Sequence, residues 1–252
     1  MPGSLRAWAI YSGEPQIWQA WGALAHNVHT GASAFHQLCG MDVWAYRAQH
    51  PVANASFNAA MTALSSHAIP AILGAYDFSS LHTLVDVGGG HGALIAAILQ
   101  AHPTLHGILF DQPHVVAAAA PRLAAAGVAD RCELDGGDFF AAVPRGGDAY
   151  LLRAILHDWD DEHSVAILRT CHQAMPEHGT LLLVEGVIQP ANRPDPTKLS
   201  DINMLVMLGG RERTAAEWQT LLAQAGFALT QVYTTAGQAS IIVGARVAQP
   251  RR

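Results

Sequence analysis

From Ser4 to Tyr76, apolar residues recur at spacings of three and four, with many Ala, Leu, Trp and Met and few β-branched runs. That period lines up apolar side chains on one helix face, so several amphipathic helices are expected, with Phe57, Met61 and Leu64 sharing a face. The pattern changes at Leu81. Short apolar runs then alternate with Ala- and Leu-rich stretches, the signature of a parallel sheet covered by helices. Strands are expected near 83–87, 107–110, 131–134, 148–152, 180–184, 229–233 and 240–245, and helices near 93–101, 114–126, 161–175 and 215–225. Gly127, Pro176 and Gly226 punctuate three of those helices at their ends. The connection Thr235 to Gln238 is too short for a crossover helix, so the last two strands should pair antiparallel. The expected architecture is α/β: a helical segment over residues 1–76, then a Rossmann-like, mostly parallel sheet over 77–252 that ends in an antiparallel hairpin.

Composition narrows the function classes. With 50% hydrophobic residues the 252-residue chain has ample material for a packed core. A net charge of -6, from 14 basic and 20 acidic residues with no basic run, argues against a nucleic-acid partner. No apolar stretch reaches membrane-spanning length and the start lacks a signal-peptide layout, so a cytoplasmic protein without a membrane partner is expected. Cys39, Cys132 and Cys171 are far apart and form no CxxC pair, which points to buried apolar roles. The 14 histidines are scattered, with no HExxH, and no metal site is expected.

The chemistry concentrates at the ends of the expected strands. Asp86-Val87-Gly88-Gly89-Gly90-His91-Gly92 is a glycine turn between a strand and a helix, where the backbone can approach a ligand closely. Gly88-x-Gly90-x-x-Ala93 also satisfies the loose dinucleotide fingerprint, so the turn alone leaves a nicotinamide enzyme open. Asp86 favours a different ligand, because a carboxylate there would meet a methionine ammonium and repel a pyrophosphate. Asp111, 19 residues beyond Gly92, is placed to accept ribose hydroxyls. After the third strand, Asp138 can accept from an adenine amino group while Phe139 covers the ring. His157 falls on the carboxyl rim of the fourth strand, where ligands of open α/β sheets bind, and Asp160 or Asp161 would cap the next helix.

These motifs resemble a known family, the plant caffeate and hydroxyindole type of small-molecule O-methyltransferases and their bacterial polyketide-tailoring relatives. The resemblance runs through Leu84–Gly92, Gly137–Phe140, Leu156–Trp159, Leu183–Glu185 and Gly209–Thr214, in register over nearly the whole chain. It implies S-adenosylmethionine as cofactor, S-adenosylhomocysteine as product, His157 as general base, and Glu185 and Glu212 as the acids that orient it. Arg153 stands where relatives often carry a lysine near the cofactor. Phe57, Met61, Asn203, Met204 and Met207 are implied as the lining of an apolar pocket for a flat aromatic substrate.

Relatives usually begin with a longer winged-helix dimerisation region, and the resemblance implies that this sequence starts near its end, either as a truncated form or as one that assembles without it. The chain's Trp-rich start, with Trp8, Trp18 and Trp21, is expected to leave apolar surface for a homodimer partner. In the implied reaction His157 must have a pKa near solution pH to remove a phenol's proton. Two other classes remain open at this point: a non-methylating relative that keeps the cofactor, and a nicotinamide-dependent oxidoreductase.

Overall fold

The structure is a computed structural model and describes residues 4–247. Its first part is helical: α1 (Arg6–Ser12), α2 (Pro15–Gly22), α3 (Leu24–Thr30), α4 (Ala34–Cys39), α5 (Val43–Gln49) and the long α6 (Pro51–Ala75). The short helices have local stops and starts. Gly31 and Gly40 close α3 and α4 in left-handed conformation, and the side chains of Ser33 and Asp42 cap α4 and α5. Helix α6 runs on through Pro70, losing only that residue's N–H from its ladder.

The remainder alternates as expected: β1 (Thr83–Val87), α7 (Ala93–Ala101), β2 (His106–Asp111), α8 (Pro113–Val116), α9 (Ala120–Ala125), β3 (Cys132–Gly136), β4 (Ala149–Arg153), α10 (Asp161–Ala174), β5 (Thr180–Ile188), α11 (Thr197–Met207), β6 (Arg213–Thr214), α12 (Ala215–Gln224), β7 (Phe227–Thr234) and β8 (Ala239–Arg246). The main sheet has the order β3-β2-β1-β4-β5-β8-β7, with β6 paired to the end of β5. Strands β1 to β5 are parallel to one another, and β8 is antiparallel to both β5 and β7. The terminal hairpin is therefore present, with its second strand inserted between the first and the parallel body.

Chain direction across the sheet reverses between β1 and β4, since β2 and β3 lie to one side and β4 and β5 to the other. The carboxyl ends of β1 and β4 consequently flank a crevice, the usual ligand position in this topology. The alternation of strand side chains fills both faces. Leu84, Ile95, Leu99, Leu109 and Leu182 pack on one side; Val85, Tyr150, Leu152, Leu168, Trp218 and Phe227 pack on the other. Each such large side chain stabilises the fold by about 1.5–3 kcal/mol on burial, so the rim rests on a rigid base.

Three features differ from the sequence-based expectation. The helix foreseen over 114–126 is broken into α8, a 3-10 turn at Ala117–Ala119, and α9, with Pro121 in the first turn of α9. Proline cannot supply the N–H that a continuous helix needs there. Helix α11 and the two-residue β6 were not foreseen. Finally, Val206 and Met207 of α11 pack with Ile17, Phe35, Val43 and Ala60 in a third apolar cluster, so the helical segment closes over a helix contributed from far along the chain.

Candidate active site

The glycine turn leaves β1 and enters α7 as a cradle. Gly88 and Gly90 both have positive φ, 72° and 60°, a conformation that favours glycine. A Cβ on Gly88 would lie 2.5 Å from Ile155 Cδ1, whereas one on Gly90 would meet nothing within 4 Å, so Gly90 faces open space. Asp111, at the end of β2, accepts from the Gly90 N–H at 2.8 Å and from the Gln112 N–H at 2.7 Å. These bonds fix the carboxylate beside the turn; burial nevertheless raises its pKa.

Asp86, near the end of β1, is buried against the turn, and a Cβ on Gly89 would come within 2.5 Å of its Oδ2. Burial pushes its pKa up to about 7, against the opposing charge of Arg153. Oδ2 has no hydrogen-bond partner, an orphaned buried acceptor that a ligand ammonium would compensate. Asp138 departs from the simple picture. It is exposed, and its Oδ1 accepts the Phe140 N–H at 2.9 Å, so half of its carboxylate holds the local turn. Phe139 is half-buried against Gly88. Arg153 donates to Ser65 Oγ of α6 at 2.9 Å, linking the sheet rim to the helical layer. The open Gly90 cradle, the Asp111 carboxylate and the orphaned Asp86 fit an amino-acid nucleoside such as S-adenosylmethionine.

Across the crevice, His157 follows β4 in a 3-10 turn. Its Nδ1 lies 2.9 Å from Glu212 Oε1 and 3.7 Å from Glu185 Oε2, and Nε2 is 3.5 Å from Asp158 Oδ1. Glu185 is fixed by accepting the Ile155 and Leu156 N–H groups, and Glu212 by Ser200 Oγ at 2.7 Å. Burial alone would lower the histidine's pKa. Glu185, the Glu212 hydrogen bond and Asp158 outweigh it and raise the value to about 10. The surrounding carboxylates therefore favour the protonated ring. Burial raises Glu185 to about 7 and Asp158 to about 6, each opposed by His157; Glu212 is lowered, burial being outweighed by its contacts with His157.

The sequence showed no ligand cluster, but folding brings donor atoms of His157, Glu185 and Glu212 within 4.8 Å of one another, a spacing a cation could bridge. The 2.9 Å Nδ1–Glu212 contact is a hydrogen bond that uses the histidine nitrogen such a cation would need.

Arg213 was missed as a structural centre of this site. Fully buried, it donates to the Leu156, Trp159 and Arg211 carbonyls, Ser164 Oγ and Asp161, and it lies over Trp218. It clamps the turn that carries His157. Gly210 lies against the same turn so closely that a Cβ would approach the His157 carbonyl at 2.1 Å. The only prior signal was the Arg-Glu-Arg-Thr motif itself. Asp160 is the helix cap, accepting the His163 N–H at 2.9 Å, whereas Asp161 pairs with Arg213. Phe57, Met61 and Met207 belong to the third apolar cluster, Met204 is buried, and Asn203 Oδ1 accepts from Trp21 Nε1 at 3.2 Å.

A glycine cradle at the switch point of a mostly parallel sheet closed by an antiparallel hairpin, facing a carboxylate-held histidine, defines the S-adenosylmethionine-dependent methyltransferase class. The O-methyltransferase domain model matches residues 21–228, and the chain belongs to that family. It is 49% identical to a phenazine O-methyltransferase of Lysobacter antibioticus over 241 residues, covering 96% of this chain and 70% of that protein. It is 43% identical to the 3-amino-4-hydroxybenzoate 4-O-methyltransferase of Streptomyces cremeus, covering 86% of this chain and 60% of that protein. A solved O-methyltransferase from neocarzinostatin biosynthesis, in complex with S-adenosylmethionine and 2-hydroxy-5-methyl naphthoic acid, superposes with a TM-score of 0.85 at 34% identity, covering 98% of this chain and 74% of that one. The chain thus spans roughly two thirds of its relatives' length, 60% to 74% in these three. Membership removes the nicotinamide alternative, and S-adenosylmethionine is the cofactor of the family. Among the described residues no helix is long and apolar enough to cross a membrane.

Proposed function

We propose that this chain transfers a methyl group from S-adenosylmethionine to a phenolic hydroxyl of a small aromatic acceptor, with His157 as the proton acceptor. The observation that carries the reading is the pinning of His157 Nδ1 by Glu212, which leaves Nε2 as the nitrogen available to an acceptor hydroxyl. When bound, the cofactor supplies an electrophilic methyl on a sulfonium. Asp86, Gly88, Gly90, Asp111, Asp138, Phe139 and Arg153 form the cofactor side; Phe57, Met61, Asn203, Met204 and Met207 line the acceptor side.

A phenol with a pKa near 10 is ionised in only about one molecule in a thousand at pH 7, a deficit of roughly 4 kcal/mol. Glu185 and Glu212 address it by stabilising positive charge on the ring. A neutral imidazole with a phenol and an imidazolium with a phenolate hold the same proton, and the two carboxylates favour the second. In its neutral form the ring can take the phenol's proton at Nε2, and the carboxylates then hold the imidazolium that results. Proximity of the oxygen to the methyl group supplies the rest.

His157→Gln should keep cofactor affinity and lower methylation by about 10²–10⁴, the usual contribution of a positioned proton acceptor. Labelled-methyl transfer to a panel of phenols checks this, and the deficit should shrink as pH approaches the acceptor's own pKa. A variant that transfers at the wild-type rate at pH 7 refutes the role. Wild-type protein that binds S-adenosylhomocysteine but methylates no phenol would favour the non-methylating reading.

A homodimer is part of this reading, although of the three leading tryptophans only Trp18 is exposed, at 68%, while Trp8 and Trp21 pack against the third cluster. With Val28, exposed at 70%, Trp18 leaves apolar area on the leading helices. Light scattering at micromolar concentration should report a species of twice the chain mass, and a clean monomer would refute it.

A further inference from the structure

Ser200 of α11 lies outside the motifs that carry the family resemblance, and the proposed methyl transfer gives it no part of its own. Its hydroxyl donates to Glu212 Oε1 at 2.7 Å, the same oxygen that lies 2.9 Å from His157 Nδ1. The other carboxylate oxygen, Oε2, is buried without a hydrogen-bond partner against Gly186, where a Cβ would stand 2.6 Å from it. The backbone N–H of Glu212 donates to Asp201 Oδ1 at 2.9 Å, so adjacent residues of α11 hold Glu212 by both its side chain and its backbone. The helix itself is anchored, since Met204, Val206 and Met207 are buried and the last two belong to the third apolar cluster. The Ser200 hydroxyl therefore approaches Glu212 from a fixed place.

Three carboxylates compete for the ring of His157. Nδ1 has Glu212 Oε1 at 2.9 Å and Glu185 Oε2, which lacks a hydrogen-bond partner, at 3.7 Å; Nε2 has Asp158 Oδ1 at 3.5 Å. A neutral imidazole carries one hydrogen, and the hydrogen bond made by one nitrogen decides whether the other keeps its lone pair. A hydrogen drawn to Nε2 by Asp158 would leave that nitrogen unable to take the acceptor's proton. Of the three contacts only the one to Glu212 is of hydrogen-bond length, so the outcome depends on where Glu212 Oε1 points. A second donor on that oxygen fixes the rotation of the carboxylate.

We propose that Ser200 is a positioning residue for proton transfer: by donating to Glu212 Oε1 it aims that oxygen at His157 Nδ1 and so keeps Nε2 free to take the acceptor's proton. The inference rests on His157 being the proton acceptor of the proposed methyl transfer. Ser200 acts only through Glu212, and its own hydrogen stays on Oγ while the phenol's proton passes to Nε2. Removing the hydroxyl should slow that step without weakening acceptor binding, so kcat falls and KM does not change. The operative group is the hydroxyl rather than the volume of the side chain. Threonine keeps it, whereas valine puts a methyl group in its place and leaves no donor at this half-buried position.

The test reads the ring and the turnover separately. With S-adenosylhomocysteine bound, proton NMR of histidine-labelled protein, assigned against His157→Gln, follows the Nδ1–H resonance that the Glu212 carboxylate draws downfield. Wild-type protein and Ser200→Thr should share that resonance, and in Ser200→Val it should move upfield and exchange faster with water. In labelled-methyl transfer to 3-amino-4-hydroxybenzoate and a panel of other phenols, Ser200→Val should lose about 10-fold in kcat at unchanged KM, while Ser200→Thr stays within about threefold of wild type. Ser200→Ala, which adds no methyl group, should follow Ser200→Val. A Ser200→Val variant that keeps either the wild-type kcat or the wild-type resonance overturns the proposal, and so does a Ser200→Thr variant that loses as much as Ser200→Val. If no form methylates any phenol but the resonance still separates threonine from valine, the hold of Ser200 on the ring stands and the methyl-transfer reading falls.

Discussion

The glycine cradle comes from one short span, β1, the turn, α7 and β2, whereas the histidine cluster gathers the turn after β4, β5, α11 and the Arg-Glu-Arg-Thr stretch. In the first region a strand-turn-helix unit places Gly90 against Asp111 through a single 2.8 Å bond. In the second, the 2.9 Å bond between His157 and Glu212 joins residues 55 positions apart, and Ser200 secures it from α11. Local geometry is sufficient to build the glycine cradle. Holding a proton at a chosen nitrogen needs several desolvated charges, which one chain segment cannot supply because neighbouring side chains diverge.

That contrast can be broken most severely at Arg213. Arg213→Met should destabilise the protein by about 3 kcal/mol, because it removes a buried donor set and leaves the Leu156 and Trp159 carbonyls unpaired. Chemical denaturation would measure this, and an unchanged midpoint would mean that the turn is held by packing alone.

A smaller effect is expected on the cofactor side. Asp111→Ala should weaken S-adenosylhomocysteine binding by about 1.5–3 kcal/mol, the range for hydrogen bonds to a charged group. Calorimetry with unchanged affinity would place the ribose elsewhere.

A third expected effect is a pH dependence of stability. His157 has a folded pKa raised to about 10, so its contribution is fully present below its ordinary value of 6.5 and is lost as pH rises through about 10. Wild-type protein should lose stability across that window relative to His157→Gln, read as diverging melting temperatures between pH 6.5 and 10. Parallel curves would mean that the carboxylates do not hold the proton on the ring.

Much of the fold was legible in advance. The span Thr83–Val87 and the helix Ala93–Ala101 match the apolar pattern residue for residue, because a fully buried strand and its covering helix leave no freedom in period. Helix α11 escaped notice because its apolar positions serve two layers, and its hydrophobic face is defined only by the helices that close over it. Motif spacing singled out His157, Glu185 and Glu212, but not the charge state they produce together.

What the sequence determined by itself was local: the alternation of strands and helices, the left-handed glycines of the turn, and the Thr214 to Glu217 capping box that starts α12. The tertiary structure decided everything that depends on the company a side chain keeps. It buried Asp86 against the turn, gave Ala154 a positive φ of 53° at the rim, raised His157 above its ordinary range and brought Ser200 to Glu212. Backbone preference acts over a few residues, whereas desolvation and charge coupling act through space and take their values only when remote segments meet.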